Sequence, residues 1–288
     1  MKNTPDVISN PREMIARSRE IRARGEIIGF VPTMGALHAG HTSLIDYARH
    51  RCDKLVVSIF VNPLQFDRPD DLRAYPRTFE NDLATCASHG VDIVYHPGVE
   101  EMYPDGFQTR VVVDGLTRGL CGAFRPGHFE GVTTVVMKLF NAVAPHFAVF
   151  GEKDYQQLQV IKRMVADLDM DIEIVGRPTV REPDGLAMSS RNAHLSEGQR
   201  YQALCLWRAI DTARKLVARG ERFVPRLKAA AAGEIERTEG ARLEYLEIIH
   251  PETLEPLTQE LVPGARIALA VWVGTTRLID NAPLEGEL

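Results

Sequence analysis

Val31-Pro32-Thr33-Met34-Gly35-Ala36-Leu37-His38-Ala39-Gly40-His41 is the stretch that decides the architecture. An apolar run at 27–31 leads into it, and a helical pattern at 41–52 leads out. The chain therefore turns here from strand into helix. At such a turn free backbone N–H groups and the positive end of the helix dipole face whatever binds. Gly35 and Gly40 let a ligand come close to the backbone. His38 and His41 stand three apart, so they share a face of the first helical turn. A lone histidine at such a place is more often an ordinary surface or core residue. Two imidazoles at a glycine-flanked helix start suit a polyphosphate, donating N–H bonds as charge develops on it. A zinc site would need further ligands at fitting spacing, and no such cluster is present in the sequence.

Outward from this turn, strands and helices alternate. Asn10 caps a first helix, with Pro11 at its first position and Glu13 at its third, and Gly25 offers its stop. A strand at 26–31 precedes the turn. The β-branched run at 54–61 reads as a strand covered on both faces. A polar loop follows at 62–76, then a helix capped by Thr78 and ended by Gly90. Strands are expected at 91–95, 109–113, 146–150 and 172–175, with helices near 129–143 and 152–168. This alternation predicts an α/β, Rossmann-like, doubly wound and mostly parallel sheet. Ligands of such sheets bind beyond the carboxyl ends of the strands. His38 and His41, Asn62 and Gln65, and Gly151-Glu152-Lys153-Asp154 all fall at those ends.

After about residue 180 the pattern changes. A turn-rich polar segment at 181–192 gives way to amphipathic helices at 197–219 and 223–238. Antiparallel-looking strands follow at 243–249, 266–273 and 276–280. The expected division is a Rossmann-like domain over 1–180 and a smaller α+β domain over 181–288, the latter acting as a lid.

Composition narrows the function. The net charge of −5 over 288 residues argues against a general nucleic-acid or acidic-membrane binder. No apolar run approaches 18 residues, and residues 1–12 are polar without a signal-peptide core. Cys52, Cys86, Cys121 and Cys205 are scattered and form no C-x-x-C, which suits buried thiols in a reducing compartment. The cytoplasm is the expected location.

Other residues carry chemistry or are ordinary. Lys153 at a helix start is by itself a solvated lysine, yet a cation there is disfavoured unless an anion binds. Met188-Ser189-Ser190-Arg191 is by itself a polar turn, but two hydroxyls and a guanidinium also grip phosphates. Gln65 and Gln157 are either exposed amides or readers of a small hydroxy acid. Arg125-Pro126-Gly127-His128 is open in the same way. Glu80 and Asp82 complement a helix dipole, or hold Mg2+ through water.

Pro32–His41, Ile59-Phe60-Val61-Asn62-Pro63-Leu64-Gln65-Phe66, Tyr75-Pro76-Arg77-Thr78, Arg125-Pro126-Gly127-His128-Phe129, Gly151-Glu152-Lys153-Asp154-Tyr155-Gln156-Gln157-Leu158 and Gly185-Leu186-Ala187-Met188-Ser189-Ser190-Arg191-Asn192 resemble, in that order, the pantoate–β-alanine ligase family. The His-x-Gly-His element alone is shared with nucleotidylyltransferases and class I aminoacyl-tRNA synthetases. The resemblance implies ATP-dependent condensation of pantoate with β-alanine through a pantoyl adenylate, releasing pyrophosphate and AMP. It implies an ATP site lined by Met34, Gly35, Ala36, Leu37, His38, Ala39, Gly40, His41, Gly151, Glu152, Lys153, Asp154, Val180, Met188, Ser189, Ser190 and Arg191. Within that site, His41 serves as proton donor, and His38, Lys153 and Arg191 stabilise phosphate charge. Gln65 and Gln157, with Asn62, Arg125 and His128, are expected to hold pantoate and β-alanine. The family also implies Mg2+ near Asp82 and a homodimer, for which the apolar run at 55–61 is a candidate interface. Phe79-Glu80-Asn81-Asp82 departs from the family's consecutive aspartates, so one carboxylate is missing near the metal. The competing readings are a nucleotidylyltransferase, which would want more basic residues for a phosphorylated acceptor, and a nucleotide-binding protein that does not consume ATP.

Overall fold

The computed structural model describes residues 4–286, so the first three residues of the polar 1–12 stretch lie outside it. Two compact units divide the chain. One comprises the residues up to Asp114, Arg125–Glu152 and Gln157–Arg177; the other comprises Gly115–Phe124, Lys153–Gln156 and the residues from Pro178 onward.

The first unit is built on a six-stranded sheet. In chain order its elements are β1 (Asp6–Ile8), α1 (Pro11–Ala23), β2 (Ile28–Thr33), α2 (Ala39–Arg49), β3 (Lys54–Ile59), α3 (Pro69–Ala74), α4 (Phe79–Ser88), β4 (Ile93–Tyr95) and α5 (Val99–Met102). After α6 (Cys121–Phe124), which belongs to the second unit, come α7 (His128–Val143), β5 (Phe147–Gly151), α8 (Tyr155–Asp167) and β6 (Glu173–Arg177). The strand order is β1-β4-β3-β2-β5-β6, and every pairing is parallel. Successive side chains of a strand face opposite ways. Val31, Val57 and Val149 therefore pack with Leu44 and Ile45 of α2 and Cys86 of α4. On the opposite face Phe30 and Phe150 each meet Phe140 of α7 edge-on, with ring centroids 6.3 and 6.4 Å away. Helices cover both faces, as the doubly wound expectation requires.

Chain order runs outward from β2 through β3 to β4, then returns to lay β5 on the other side of β2. The order reverses between β2 and β5, and at such switch points open α/β sheets bind ligands. Leu55–Ile59 lies in an inner strand and is almost wholly buried. The run expected to seed an interface is instead core.

Residues 109–113 form no strand. Val111 donates its N–H to Thr134 Oγ1 at 3.1 Å and accepts from Thr133 Oγ1 at 2.6 Å. Hydroxyls on α7 thus take the place of a neighbouring strand. The short edge strand β1 and the small helix α3 were not anticipated: three residues, or six inside a polar loop, carry no periodicity. The helix expected at 152–168 begins with a 3-10 turn, Glu152–Asp154, and turns α-helical at Tyr155.

The second unit places α9 (Glu197–Ala218) and α10 (Val224–Glu236) with an antiparallel sheet of β7 (Ala241–Ile249), β8 (Arg266–Val273) and β9 (Thr276–Pro283). Leu206, Ile210 and Leu227 from the helices share one core with Ile248, Ile267 and Leu269 from the strands. Ser196 and Gln199 form a reciprocal capping box at the start of α9. No helix among the described residues is long and apolar enough to cross a membrane.

Candidate active site

β2, β3 and β5 are adjacent, and each candidate cluster of the first unit follows one of them. After β2 the chain enters two consecutive left-handed residues, Gly35 at φ +82° and Ala36 at +51°. α2 then begins at Ala39 rather than 41, with His38 as its extended N-cap and His41 at its third position. The two imidazoles serve as caps. His38 Nδ1 accepts from the Gly40 N–H at 3.2 Å, and His41 Nδ1 accepts from the His38 N–H at 3.3 Å. A neutral imidazole that accepts at Nδ1 carries its proton on Nε2. Both rings are thereby held as Nε2–H donors, with centroids 4.1 Å apart.

The backbone N–H groups of this turn are not free, contrary to expectation. Gly35 donates to Thr33 Oγ1 at 3.2 Å. Ala36 and Leu37 donate to the two oxygens of Asp82 at 2.9 and 2.8 Å. These part-buried amides find their acceptors within the protein. The Gly35, Ala36 and Leu37 amides are thus spent inside the protein.

After β3, Asn62 caps a 3-10 turn, Pro63–Gln65. Asn62 is 1% exposed, and its amide is fully engaged. Its Nδ2 donates to Gln65 Oε1 and to the Gly131 carbonyl, each at 3.0 Å. Its Oδ1 accepts from the Leu64 N–H and from the Tyr103 hydroxyl at 3.3 and 2.8 Å. Asn62 therefore orients Gln65 rather than reaching outward. With Oε1 held, Gln65 presents Nε2, one N–H of which points to Met34 Sδ at 3.2 Å. The other has no acceptor among the described residues.

Arg125 and His128 brace the same loop. Arg125 Nη2 donates to the Gln65 carbonyl at 3.1 Å, and His128 Nδ1 lies 2.8 Å from that oxygen. Arg125 Nε also donates to Asp67 at 2.9 Å. Burial opposes ionisation of Asp67, but the hydrogen bond and charge of Arg125 outweigh it and hold the carboxyl below the usual carboxylate range. Gly131 lets α7 approach: a Cβ there would sit 2.3 Å from the Leu64 carbonyl oxygen. The structure thus gathers Met34, Asn62, Gln65, Arg125 and His128 into one bonded set. Gln157 makes no hydrogen bond to this set among the described residues; it is half-buried on the first turn of α8 after β5.

Gly151 ends β5 and Glu152 follows it in the first unit, and Lys153, Asp154, Val180, Met188, Ser189, Ser190 and Arg191 belong to the second. Lys153 pairs with Asp154 at 3.7 Å, and its carbonyl accepts from Asn281 Nδ2 at 2.8 Å. The 181–192 segment is ordered as a tight hairpin. Met188 N–H donates to the Val180 carbonyl at 3.0 Å, and Arg181 pairs with Ala187. Ser189 Oγ then accepts from the Arg191 N–H at 3.3 Å, capping the 3-10 turn Ser190–His194. Arg181, which the sequence did not single out, holds this hairpin: it grips Asp280 twice, at 2.7 and 2.9 Å, and stacks on Trp207 at 4.3 Å.

The four cysteines are free thiols. Burial, reinforced by the Asp82 charge, pushes Cys86 up to about 12, and burial pushes Cys205 up to about 11. Both stay protonated and inert at neutral pH.

The residues near the expected metal position do not fit a protein-held Mg2+. Asp82 is 3% exposed and spends its oxygens on Ala36, Leu37 and Thr78. No group of three or more His, Cys, Asp or Glu capable of holding a metal occurs among the described residues.

The model of the family described as pantoate-beta-alanine ligase matches residues 6–283. A pantothenate synthetase of Geobacter sulfurreducens is 53% identical over 281 residues, covering 98% of this chain and 99% of the relative. A pantothenate synthetase of Thermotoga neapolitana is 50% identical over 278 residues, covering 96% and 99%. Among solved structures, a pantothenate synthetase from Thermus thermophilus superposes with a TM-score of 0.93 at 48% identity, covering 98% of this chain and 100% of that one. The pantoate-beta-alanine ligase of Francisella tularensis, complexed with beta-gamma ATP and beta-alanine, superposes with a TM-score of 0.80 at 35% identity, covering 98% and 99%. The strand-to-helix turn with its paired imidazoles, the braced amide after the next strand and the match across nearly the whole length agree: this chain is an enzyme of the pantoate–β-alanine ligase family.

Proposed function

We propose that the enzyme condenses pantoate with β-alanine in two steps at the expense of ATP. In the first, a carboxylate oxygen of pantoate attacks the α-phosphorus. The bond from phosphorus to the pyrophosphate oxygen breaks, leaving pantoyl adenylate. In the second, the β-alanine amine attacks the acyl carbon, the bond to the AMP oxygen breaks, and the amine proton passes to solvent. A carboxylate is a poor acyl donor, and adenylation supplies the leaving group it lacks. The observation that carries this reading is the pair of backbone N–H bonds that His38 and His41 accept at Nδ1. Backbone amides occupy both Nδ1 atoms, so each ring offers an Nε2–H to phosphate oxygens as charge spreads over them.

His41 acts as the proton donor and His38 as its companion in this reading. Lys153 and Arg191 supply positive charge for the phosphates, with Met34, Gly35, Ala36, Leu37, Ala39, Gly40, Gly151, Glu152, Asp154, Val180, Met188, Ser189 and Ser190 around the nucleotide. Gln65, held as an Nε2 donor, and Gln157 bind the pantoate carboxylate and hydroxyl. Asn62, Arg125 and His128 serve by holding Gln65. Mg2+ enters as part of the ATP substrate. The four free thiols suit the reducing cytoplasm.

Pantoate-dependent exchange of label between pyrophosphate and ATP, without β-alanine, tests the reading. Exchange that requires pantoate is expected. A folded, ATP-binding enzyme that neither exchanges nor forms AMP with β-alanine present overturns it.

The partner is a second copy of the chain, docked along 109–113. Val111 spends its N–H and C=O on hydroxyls of α7. Val112 is 67% exposed. Antiparallel pairing about a two-fold axis at Val112 sets Arg110 opposite Asp114 of the partner subunit, a self-complementary arrangement. Sedimentation of Val112→Glu should show a monomer where the parent chain is a dimer; a dimer in both rejects this surface.

A further inference from the structure

Asp82 stands where the family resemblance expects a carboxylate near the metal, yet its surroundings give it another task. It lies on the first turns of α4, 3% exposed. Oδ2 accepts from the Ala36 N–H at 2.9 Å and from Thr78 Oγ1 at 3.2 Å, and Oδ1 accepts from the Leu37 N–H at 2.8 Å. One carboxylate therefore bridges two consecutive amides of a different segment, 45 and 46 residues away in sequence. Hydrogen bonds from amides to a carboxylate are charge-assisted and among the stronger ones.

The segment it grips carries two consecutive residues in the left-handed region. Gly35 and Ala36 are both left-handed, and Ala36 bears a Cβ that disfavours this region. A Cβ on Gly35 would lie 2.9 Å from Asp82 Oδ2, so the carboxylate fills the space that glycine leaves. Strained backbone persists only where the surroundings over-determine it. The next residue after Leu37 is His38, whose extended N-cap geometry starts α2 and fixes both imidazoles.

We propose that Asp82 is a positioning residue: a latch that locks the left-handed Gly35-Ala36 pair, and through it the two imidazoles, rather than a ligand of Mg2+. The latch spends on two amides the oxygens that a metal would need. Thr78 assists from the α4 N-cap position; its hydroxyl bonds the Asp82 carboxylate and caps no backbone N–H.

Asp82→Asn is nearly isosteric but turns an NH2 toward one of the two amides, so the latch fails with little change of volume. Exchange of the Ala36 and Leu37 amide hydrogens with solvent, followed by NMR, is expected to quicken at least about tenfold in Asp82→Asn. Amides in the centre of β3 should keep their parent rates, which shows the fold intact. Turnover is expected to fall about 100-fold, the scale of a slightly misplaced catalytic group. The Mg2+ concentration for half-maximal activity and the KM for pantoate should stay within about twofold. Unchanged exchange at Ala36 and Leu37 overturns the latch, as does recovery of activity on raising Mg2+. Thr78→Val, which removes only the assisting hydroxyl, should shift amide exchange in the same direction by a smaller factor, and no shift counts against the proposal. The catalytic readouts rest on the reaction proposed above. Amide exchange does not, so failure of that reading and failure of the latch are separable.

Discussion

The turn after β2 and the loop after β3 reach ordered geometry by opposite routes. In the first, the groups that bond the backbone are mostly local: Thr33, His38 and His41 satisfy Gly35, Gly40 and His38. Only Asp82 comes from afar. In the second, the side chains that hold Gln65 come largely from elsewhere. Tyr103 steadies Asn62, the carbonyl of Gly131 anchors it, and Arg125 and His128 take the Gln65 carbonyl. A locally held turn keeps its shape when one residue at its functional tip is changed. A loop held by distant groups transmits a change at His128 or Gly131 to the amide it presents.

His41→Ala should break the first region chemically with little effect on its neighbours. The expected loss is roughly 10²–10³ in turnover, the scale for removing a preorganised donor, with the fold retained and the thermal midpoint lowered slightly by the lost cap. Near-normal turnover in the folded variant would remove His41 from the mechanism. Gly131→Ala attacks the second region from a distance. Its new Cβ meets backbone 2.3 Å away, so α7 and the 63–65 turn must separate. The KM for pantoate should rise on the order of tenfold or more, with a lowered thermal midpoint and little change in the KM for ATP; equal changes in both KM values would contradict the separation of the two regions.

Gln65→Ala should weaken pantoate binding by about tenfold or less, the worth of one hydrogen bond, without lowering the thermal midpoint as Gly131→Ala does. Arg125→Ala sharpens the comparison with the smallest effect. The Asp67 carboxyl titrates below its ordinary range in the folded chain. Its contribution to stability is therefore present above the unfolded value of about 3.9 and lost as pH falls through the lower folded value. An acid titration of the unfolding midpoint should show a shallower slope below about pH 4 in Arg125→Ala. The difference is modest because this partly exposed pair is screened. An unchanged slope would show that Arg125 does not govern Asp67.

Much of the frame was legible because periodicity is local. β2, β3, β5 and β6 are close to their expected positions, as are α7, α9 and α10, each long or apolar enough to show its period. The strand expected at 109–113 failed for a reason the period cannot reveal. Thr-Arg-Val-Val-Val has the composition of a strand, but its pairing partner is a pair of hydroxyls on α7. The site residues were visible as motifs, whereas their division of labour was not. Nothing in Asn62-Pro63-Leu64-Gln65 says that the first amide exhausts itself in orienting the second.

The sequence by itself determined the alternation of elements, the strand-to-helix turn bearing two histidines, and the family. These follow from residue types at fixed short spacings, which act through local backbone preference and burial. Only the tertiary structure decided which polar atoms remain to meet a substrate. It occupied the amides of the His38 turn, set both imidazole tautomers, turned Asn62 and Asp82 inward and left Gln65 as a donor. Hydrogen-bond capacity is finite, and the partners that consume it here lie tens of residues away, so the balance becomes readable only when the chain is folded.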